Sequence, residues 1–195
     1  ENDHNFNLIN TRYDVAEKAR VNAVSVNNYG TTSRNDTQVD FNGAEAHVVL
    51  KGIGLFADQD QAYNHIMVNH NVGNNFCDQV FKNILIGKAI TEFSGCVDVK
   101  PKSHKVVSNQ LNQNLILSDH ARALSRPKLI IDADDVLCSH GCTIGQLDPE
   151  QVHYLCSRGL TKMEAKSLLT LGFAIDVIDS IQHDKMKQLL KSITE

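Results

Sequence analysis

The stretch that decides the fold reads NLILSDHARALSRPKLIIDADDVLCSHGCTIGQLD over residues 114–148. It contains two short apolar runs that favour β-strands, Leu115–Leu117 and Leu129–Ile131. Neither run shows the three-and-four spacing of an amphipathic helix. The stretch therefore predicts short strands that are separated by polar turns.

The same pattern extends towards the N-terminus, where further β-prone segments recur with centres roughly 13–19 residues apart. All 18 asparagines lie at or before Asn114, and asparagine tolerates the left-handed conformations of tight turns. Many short strands with frequent turns fit a sandwich, a barrel or a solenoid, and we favour a parallel β-helix. The segments are Ala23–Val26, Val39–Phe41, His47–Leu50, Ile66–Val68, Ile84–Ile86, Cys96–Val99 and Val106–Val107.

After Asp148 the pattern becomes helical. Pro149 suits a first helical position, and Gly159 is a typical helix stop. The run Thr161–Glu164 has the form of a capping box, and the last segment repeats apolar residues at helical spacing. We expect a β-rich domain over residues 1–148 and a small helical domain over 149–195.

Composition limits the partners. The formal net charge of −4 argues against a nucleic-acid backbone as a partner, because such proteins carry basic surfaces. The apolar runs are far shorter than the ~20 residues that span a bilayer, so we expect no membrane partner. Five widely spread cysteines favour free thiols in a reducing compartment.

Residues 114–148 closely resemble the SufB/SufD family of iron–sulfur cluster assembly proteins. The resemblance is carried by Asn114–Ser118, by Ser125–Pro127 and above all by the run Ala133–Gly145, which contains Asp-Asp-Val and Cys-Ser-His-Gly. Looser matches extend it over about residues 43–173. It implies a mainly β fold, a right-handed parallel β-helix followed by a small C-terminal helical domain. Family members also carry a substantial N-terminal region, so we expect this chain to be a fragment.

The family resemblance implies partners as well. SufB, SufC and SufD form a complex that assembles iron–sulfur clusters, and SufC is its ATPase. We expect this chain to pair with SufB through the β-helix, or with itself when alone, and to bind SufC through Tyr154, Arg158, Phe173 and Ile178. We expect a non-catalytic subunit that binds no cofactor stably by itself. An iron–sulfur cluster would form transiently at the SufB interface, and the family also associates flavin with the full complex.

SufD is preferred over SufB for two reasons. The run Asp134-Asp135-Val136 resembles the SufD version, and residues 112–114 lack the functional cysteine that SufB carries at that place. The alternative is a SufB-type scaffold that carries the nascent cluster itself. We expect a bacterial cytoplasm, or a plastid stroma or apicoplast if the source is eukaryotic.

The pair Cys138 and His140 is the best metal candidate, since thiolate and imidazole suit zinc and iron–sulfur chemistry. Alternate residues of a strand share one face at ~6.6 Å, so Cys138 and Cys142 would lie ~13 Å apart. Cys142 stands where most relatives have alanine and is the weaker candidate. A buried thiol and a hydrogen-bonded histidine without a ligand role remain the alternative interpretation.

Two other classes fit less well. A β-solenoid enzyme such as a polysaccharide lyase calls for a strongly charged cleft, and a zinc module calls for a second Cys/His pair at ligand spacing. Neither pattern is present in the sequence. Metal analysis and a SufC pull-down would separate these classes from the scaffold.

Overall fold

The computed structural model describes residues 5–28 and 31–194. Within that range ten strands are followed by three helices. The strands are β1 (Asn5–Val15), β2 (Arg20–Asn28), β3 (Thr31–Phe41), β4 (His47–Phe56), β5 (Gln61–His70), β6 (Phe76–Leu85), β7 (Ile90–Val99), β8 (Val107–Ile116), β9 (Arg122–Ile131) and β10 (Leu137–Gly145). The helices are α1 (Pro149–Ser157), α2 (Lys162–Asp179) and α3 (Asp184–Thr194).

The strands form two parallel sheets, with the orders β1-β3-β5-β7-β9 and β10-β8-β6-β4-β2. The chain thus alternates between the sheets, and each pair of strands makes one coil of a solenoid. Asn5 pairs with Thr31, 26 positions later, and Ile90 pairs with Arg122, 32 positions later. This architecture confirms the prediction of a mainly β fold that is a parallel β-helix with small C-terminal helices.

One corner of each coil is closed by a single residue in the left-handed conformation. These residues are Lys18, Glu45, Asn74, Lys105 and Asp135, with φ between 56° and 60°. Their backbone groups bond from coil to coil: the Glu45 N–H donates to the Asn74 carbonyl (2.9 Å), and the Lys105 N–H donates to the Asp135 carbonyl (2.8 Å). The corner therefore pairs backbone groups from one coil to the next that a turn would otherwise leave to solvent.

The interior of the solenoid is built from rows of in-register residues. Val39, Val68 and Val97 stack on successive strands of one sheet, and each is fully buried. The other sheet also buries amides: Gln110 donates to Gln79 (3.2 Å), and Asn83 donates to Asn114 (2.8 Å). The strands are nine to eleven residues long, longer than the short apolar pieces predicted. Apolar runs alone underestimate the strands because polar residues also point inwards.

The helices pack against the outer face of the second sheet. Ile53, Leu55, Ile84 and Leu115 form one buried cluster with Val177 and other residues of α2 and α3. The side chain of Lys82 on β6 is also covered there, and its Nζ donates to the Phe173 carbonyl and to Asp176 Oδ1, both at 2.8 Å. The helical part thus shares a core with the solenoid.

The helix starts follow the sequence signals. Asp148 caps α1 by accepting from the Glu150 N–H, and Thr161 with Glu164 forms the capping box of α2. In the described part of the chain, no helix combines the length and apolar character needed to cross a membrane.

Candidate functional site

The candidate site lies on the terminal coil, which consists of β9 and β10. Both are the outermost strands of their sheets, at the same end of the solenoid. β10 pairs with β8 on one side only, so its other edge carries unpaired backbone donors and acceptors among the described residues. An exposed edge of this kind is a template for another strand.

The turn between β9 and β10 fixes where the edge strand begins. Asp135 adopts the left-handed conformation in this turn, and the Asp134 carbonyl lies 2.8 Å from Nδ1 of His104 on the coil below. The backbone bond from Lys105 to Asp135 adds a second contact between the two turns. The Asp-Asp run of the family motif is thus a stacked corner that sets the register of the strand after it.

Cys138 is half-buried and packs against the main apolar core. It pairs with the buried Ser108 of β8, which in turn pairs with the buried Cys77 of β6. Burial raises the pKa of the Cys138 thiol, and a hydrogen bond with the Ser108 backbone opposes that rise only in part. The group is therefore a thiol at neutral pH, and deprotonation would accompany metal binding.

His140 and Cys142 lie on the same face of β10 as Cys138, and both are exposed. His140 pairs with the buried Gln110, and Cys142 pairs with the buried Asn112. The side chains of β8 that are in register with these residues point into the solenoid and are covered. Those of β10 are uncovered because no further coil follows within the described residues. Across residues 5–28 and 31–194, no three His, Cys, Asp or Glu side chains gather closely enough to hold a metal ion.

Buried polar side chains of β8 and β6 lie inside the solenoid next to this face of β10, and they were not predicted from the sequence. Gln110 contacts Gly95 across the solenoid, where an added Cβ would lie 2.4 Å from the Gln110 amide nitrogen. The Oε1 of Gln110 and the Nε2 of Gln79 are buried, and neither has a hydrogen-bond partner in the part of the chain that the structure describes. The repeat of polar residues at every second position of β8 was the signal that could have revealed these inward-facing amides.

The residues predicted to bind SufC fall into two groups. Tyr154 is 57% exposed, and its ring lies 5.3 Å from the Arg158 guanidinium carbon, so both lie on the surface of the helical part. Ile178 is fully buried in the cluster between α2 and the solenoid. Phe173 is half-buried, with Lys82 over its ring at 5.1 Å. We therefore correct the predicted surface: the Ile178 side chain cannot belong to it, because the solenoid already covers it.

Other apolar side chains of the helices reach the surface and were not among the residues predicted to bind SufC. They are Met163 (77% exposed), Leu168 (49%), Met186 (41%) and Leu189 (54%). The helical spacing predicted an apolar stripe but could not tell which of its members the solenoid covers.

Comparison with known proteins agrees with the motif resemblance. A family model described as "SUF system FeS cluster assembly, SufBD core domain" matches residues 1–173. The chain is 30% identical to the iron–sulfur cluster assembly protein SufD of Escherichia coli over 161 residues, which is 82% of this chain and 38% of that protein. It is 32% identical to an iron–sulfur cluster assembly SufBD family protein of Synechocystis over 176 residues, 90% of this chain and 39% of that protein. The chain spans about two fifths of the length of these two relatives.

Proposed function

Because this chain belongs to the SufBD family of the SUF system, we propose that it is a SufD-type scaffold subunit for iron–sulfur cluster assembly. In this proposal it pairs with SufB through the β-helix and binds the SufC ATPase through the C-terminal helices. The relatives that carry the name SufD support the subtype. The single observation that carries the proposal is the one-sided pairing of β10, the strand that bears Cys138 and His140.

Pairing with SufB would satisfy the free edge of β10. A strand of the partner that adds to this edge would give its N–H and C=O groups partners and would bury Leu137, which is now 72% exposed. The homologous edge of a second copy of this chain would offer the same groups, which makes the homodimer the natural state when SufB is absent.

The nascent cluster is the cargo of this interface. Cys138, once deprotonated, and His140 offer a thiolate and an imidazole donor on one face of β10, and two ligands from one chain leave further positions of an iron ion open. SufB would supply the remaining ligands, so that neither subunit completes the site alone. Flavin, if the full complex binds it, would belong to the assembly rather than to this chain.

SufC docking is assigned to the exposed apolar side chains of the helical part. Tyr154, Met163, Leu168 and Met186 remain uncovered after α2 and α3 have packed on the solenoid. An apolar helix surface is what a groove on a partner protein binds. ATP hydrolysis belongs to SufC in this proposal, and the chain itself catalyses no step. We place the complex in a bacterial cytoplasm, with a plastid stroma or apicoplast as the eukaryotic alternative.

The test is iron and acid-labile sulfide per complex after co-expression with SufB and SufC. His140→Ala and Cys138→Ser should each lower both contents several-fold, because each removes one ligand, while gel filtration shows an intact complex. Ser139→Ala is the matched control, since Ser139 is the exposed residue between them and its hydroxyl donates to Asn109. Wild-type iron and sulfide in both variants would reduce the pair to packing residues and refute the assembly site.

A SufB-type scaffold is the second candidate, and the exposed thiol of Cys142 favours it because it adds a donor to the same row. This candidate predicts that the isolated chain retains iron and sulfide after anaerobic reconstitution and that Cys142→Ser removes them. The SufD-type proposal predicts instead that only the complex with SufB retains them and that Cys142→Ser has little effect.

A further inference from the structure

A cleft of about 510 Å³ lies between the last coil and the first two helices. Its apolar wall consists of aliphatic side chains from the end of β8, the segment before α1 and the first turns of α1: Ile116, Leu117, Leu147, Pro149 and Val152. The volume falls in the range of about 300–1,000 Å³ that is usual for small-molecule sites. The cleft is separate from the row of Cys138 and His140, none of whose residues line it.

The cleft is also lined by three basic side chains. Lys162 and Lys166 line it from one face of α2, four residues apart, and His153 lines it from α1. Asp119 is the only carboxylate in the lining, and neither lysine forms an ion pair in the described part of the chain. Two like charges at this spacing repel each other on a helix, and an anion between them would relieve that repulsion.

We propose that this cleft binds a small organic anion with an apolar body. The aliphatic wall takes the body of the ligand, and the ammonium groups of Lys162 and Lys166 take its phosphate, carboxylate or sulfonate. His153, which also lines the cleft, adds a ring N–H donor. Tyr154 of the proposed SufC surface lines a different depression with Glu150 and Leu155. Met163 of that surface lies beside Lys162 on α2, so the site is tested on the chain without SufC.

The experiment compares an anionic probe with its neutral analogue on the full chain. 1-Anilinonaphthalene-8-sulfonate and N-phenyl-1-naphthylamine share their rings but differ in the sulfonate. In ¹H–¹⁵N correlation spectra the sulfonate probe should shift the amide signals of residues 116–119, 146–153 and 162–166. Replacing both lysines, Lys162→Gln with Lys166→Gln, should weaken its binding three- to tenfold and leave the neutral probe unchanged. Lys185→Gln with Lys187→Gln on α3 is the matched control and should change neither.

Two competitors then identify the head group. Decanoate and 1-naphthyl phosphate are titrated against the bound sulfonate probe, and displacement by either one supports the site and names its preferred anion. The proposal is overturned if the probe shifts only signals outside these segments, or if the lysine double variant binds it with unchanged affinity. It is also overturned if neither competitor displaces the probe. None of these results depends on cluster assembly or on SufC, so this inference and the proposed function stand or fall separately.

Discussion

Replacing Lys82 by methionine should release the helical part from the solenoid. Lys82 lies on β6 with its side chain 9% exposed, and its ammonium group donates to the Phe173 carbonyl and to Asp176 of α2. A hydrogen bond from a charged donor contributes about 1.5–3 kcal/mol. The Asp176 carboxylate is 55% exposed, so solvent limits the ion pair to about 0.5–1 kcal/mol. Methionine keeps the apolar stem and a contact with the Phe173 ring. We therefore expect Lys82→Met to cost about 2–4 kcal/mol of docking free energy.

The loss of docking free energy should appear as local opening of the helical part. In hydrogen-exchange mass spectrometry the amides of α2 should exchange about 30- to 1,000-fold faster in Lys82→Met, since ~1.4 kcal/mol corresponds to a factor of ten. The valine rows of the solenoid, which lie on the other sheet, should keep their protection. Asp176→Asn should accelerate exchange in α2 by no more than about fivefold, because it removes only the screened ion pair. Lys128→Met, at an exposed position of β9, is the matched control for a lysine-to-methionine change.

The reasoning fails in either of two ways. Unchanged protection of α2 in Lys82→Met would mean that the apolar cluster alone holds the helices. An effect of Asp176→Asn as large as that of Lys82→Met would mean that the ion pair, and not the bond to the Phe173 carbonyl, fixes the contact. A double variant should lose less than the sum of the single losses, because the two side chains share one interaction.

Two further outcomes follow from buried positions. Burial lowers the pKa of His70 to about 4, and neither of its ring nitrogens has a hydrogen-bond partner among the described residues. The folded pKa is below the ordinary value, so its contribution to stability is present above about pH 6.5 and is lost as the pH falls towards 4. His70→Phe should keep the stack on Phe41 and reduce the loss between pH 7 and pH 4.5 by about 2 kcal/mol in urea unfolding, and an unchanged loss would contradict this. Gly43→Ala would bring a Cβ to 1.9 Å from the Glu17 backbone nitrogen, so it should lower the free energy of unfolding by about 2–4 kcal/mol. Gly145→Ala is the control, because open space surrounds that position and stability should not change. Equal melting temperatures of the two variants would contradict this prediction.

Strand positions and the switch to helices could be predicted from the sequence, but the contents of the interior could not. Each predicted apolar piece lies in or beside a strand of the solenoid. Gln79 and Gln110 break the simple rule that polar residues point outwards, because each finds its partner on the neighbouring coil 31 positions away. Only the register reveals that partner, and the register depends on corners such as Lys105 and Asp135, where residues other than glycine adopt positive φ.

The same limit applies to the helices. The three-and-four spacing places Ile178 in an apolar stripe, and the family resemblance points to Tyr154, but neither signal says which side chain stays exposed. Ile178 is covered because of where α2 crosses β4 and β6, and the buried Lys82 marks that crossing. A lysine is not a residue that a sequence reader assigns to a buried interface, so the contact that orients the helices left no apolar signal.

The residues of the candidate site are the last members of stacks of in-register residues that run through the solenoid. This position explains which residue types occur there. The stack that ends at His140 holds Gln79 on β6 and Gln110 on β8, amides that bond to each other between neighbouring coils. The stack that ends at Cys138 holds Cys77 and Ser108. Among the described residues no further coil follows β10, so the side chains that end these stacks keep one side open to solvent or to a partner. A thiol and an imidazole can bind a metal or a partner at this place, because both can present a deprotonated donor outwards. The repeat of the coils thus sets the position of Cys138 and His140. Their ability to bind a metal or a partner is useful there because the last coil leaves that position uncovered.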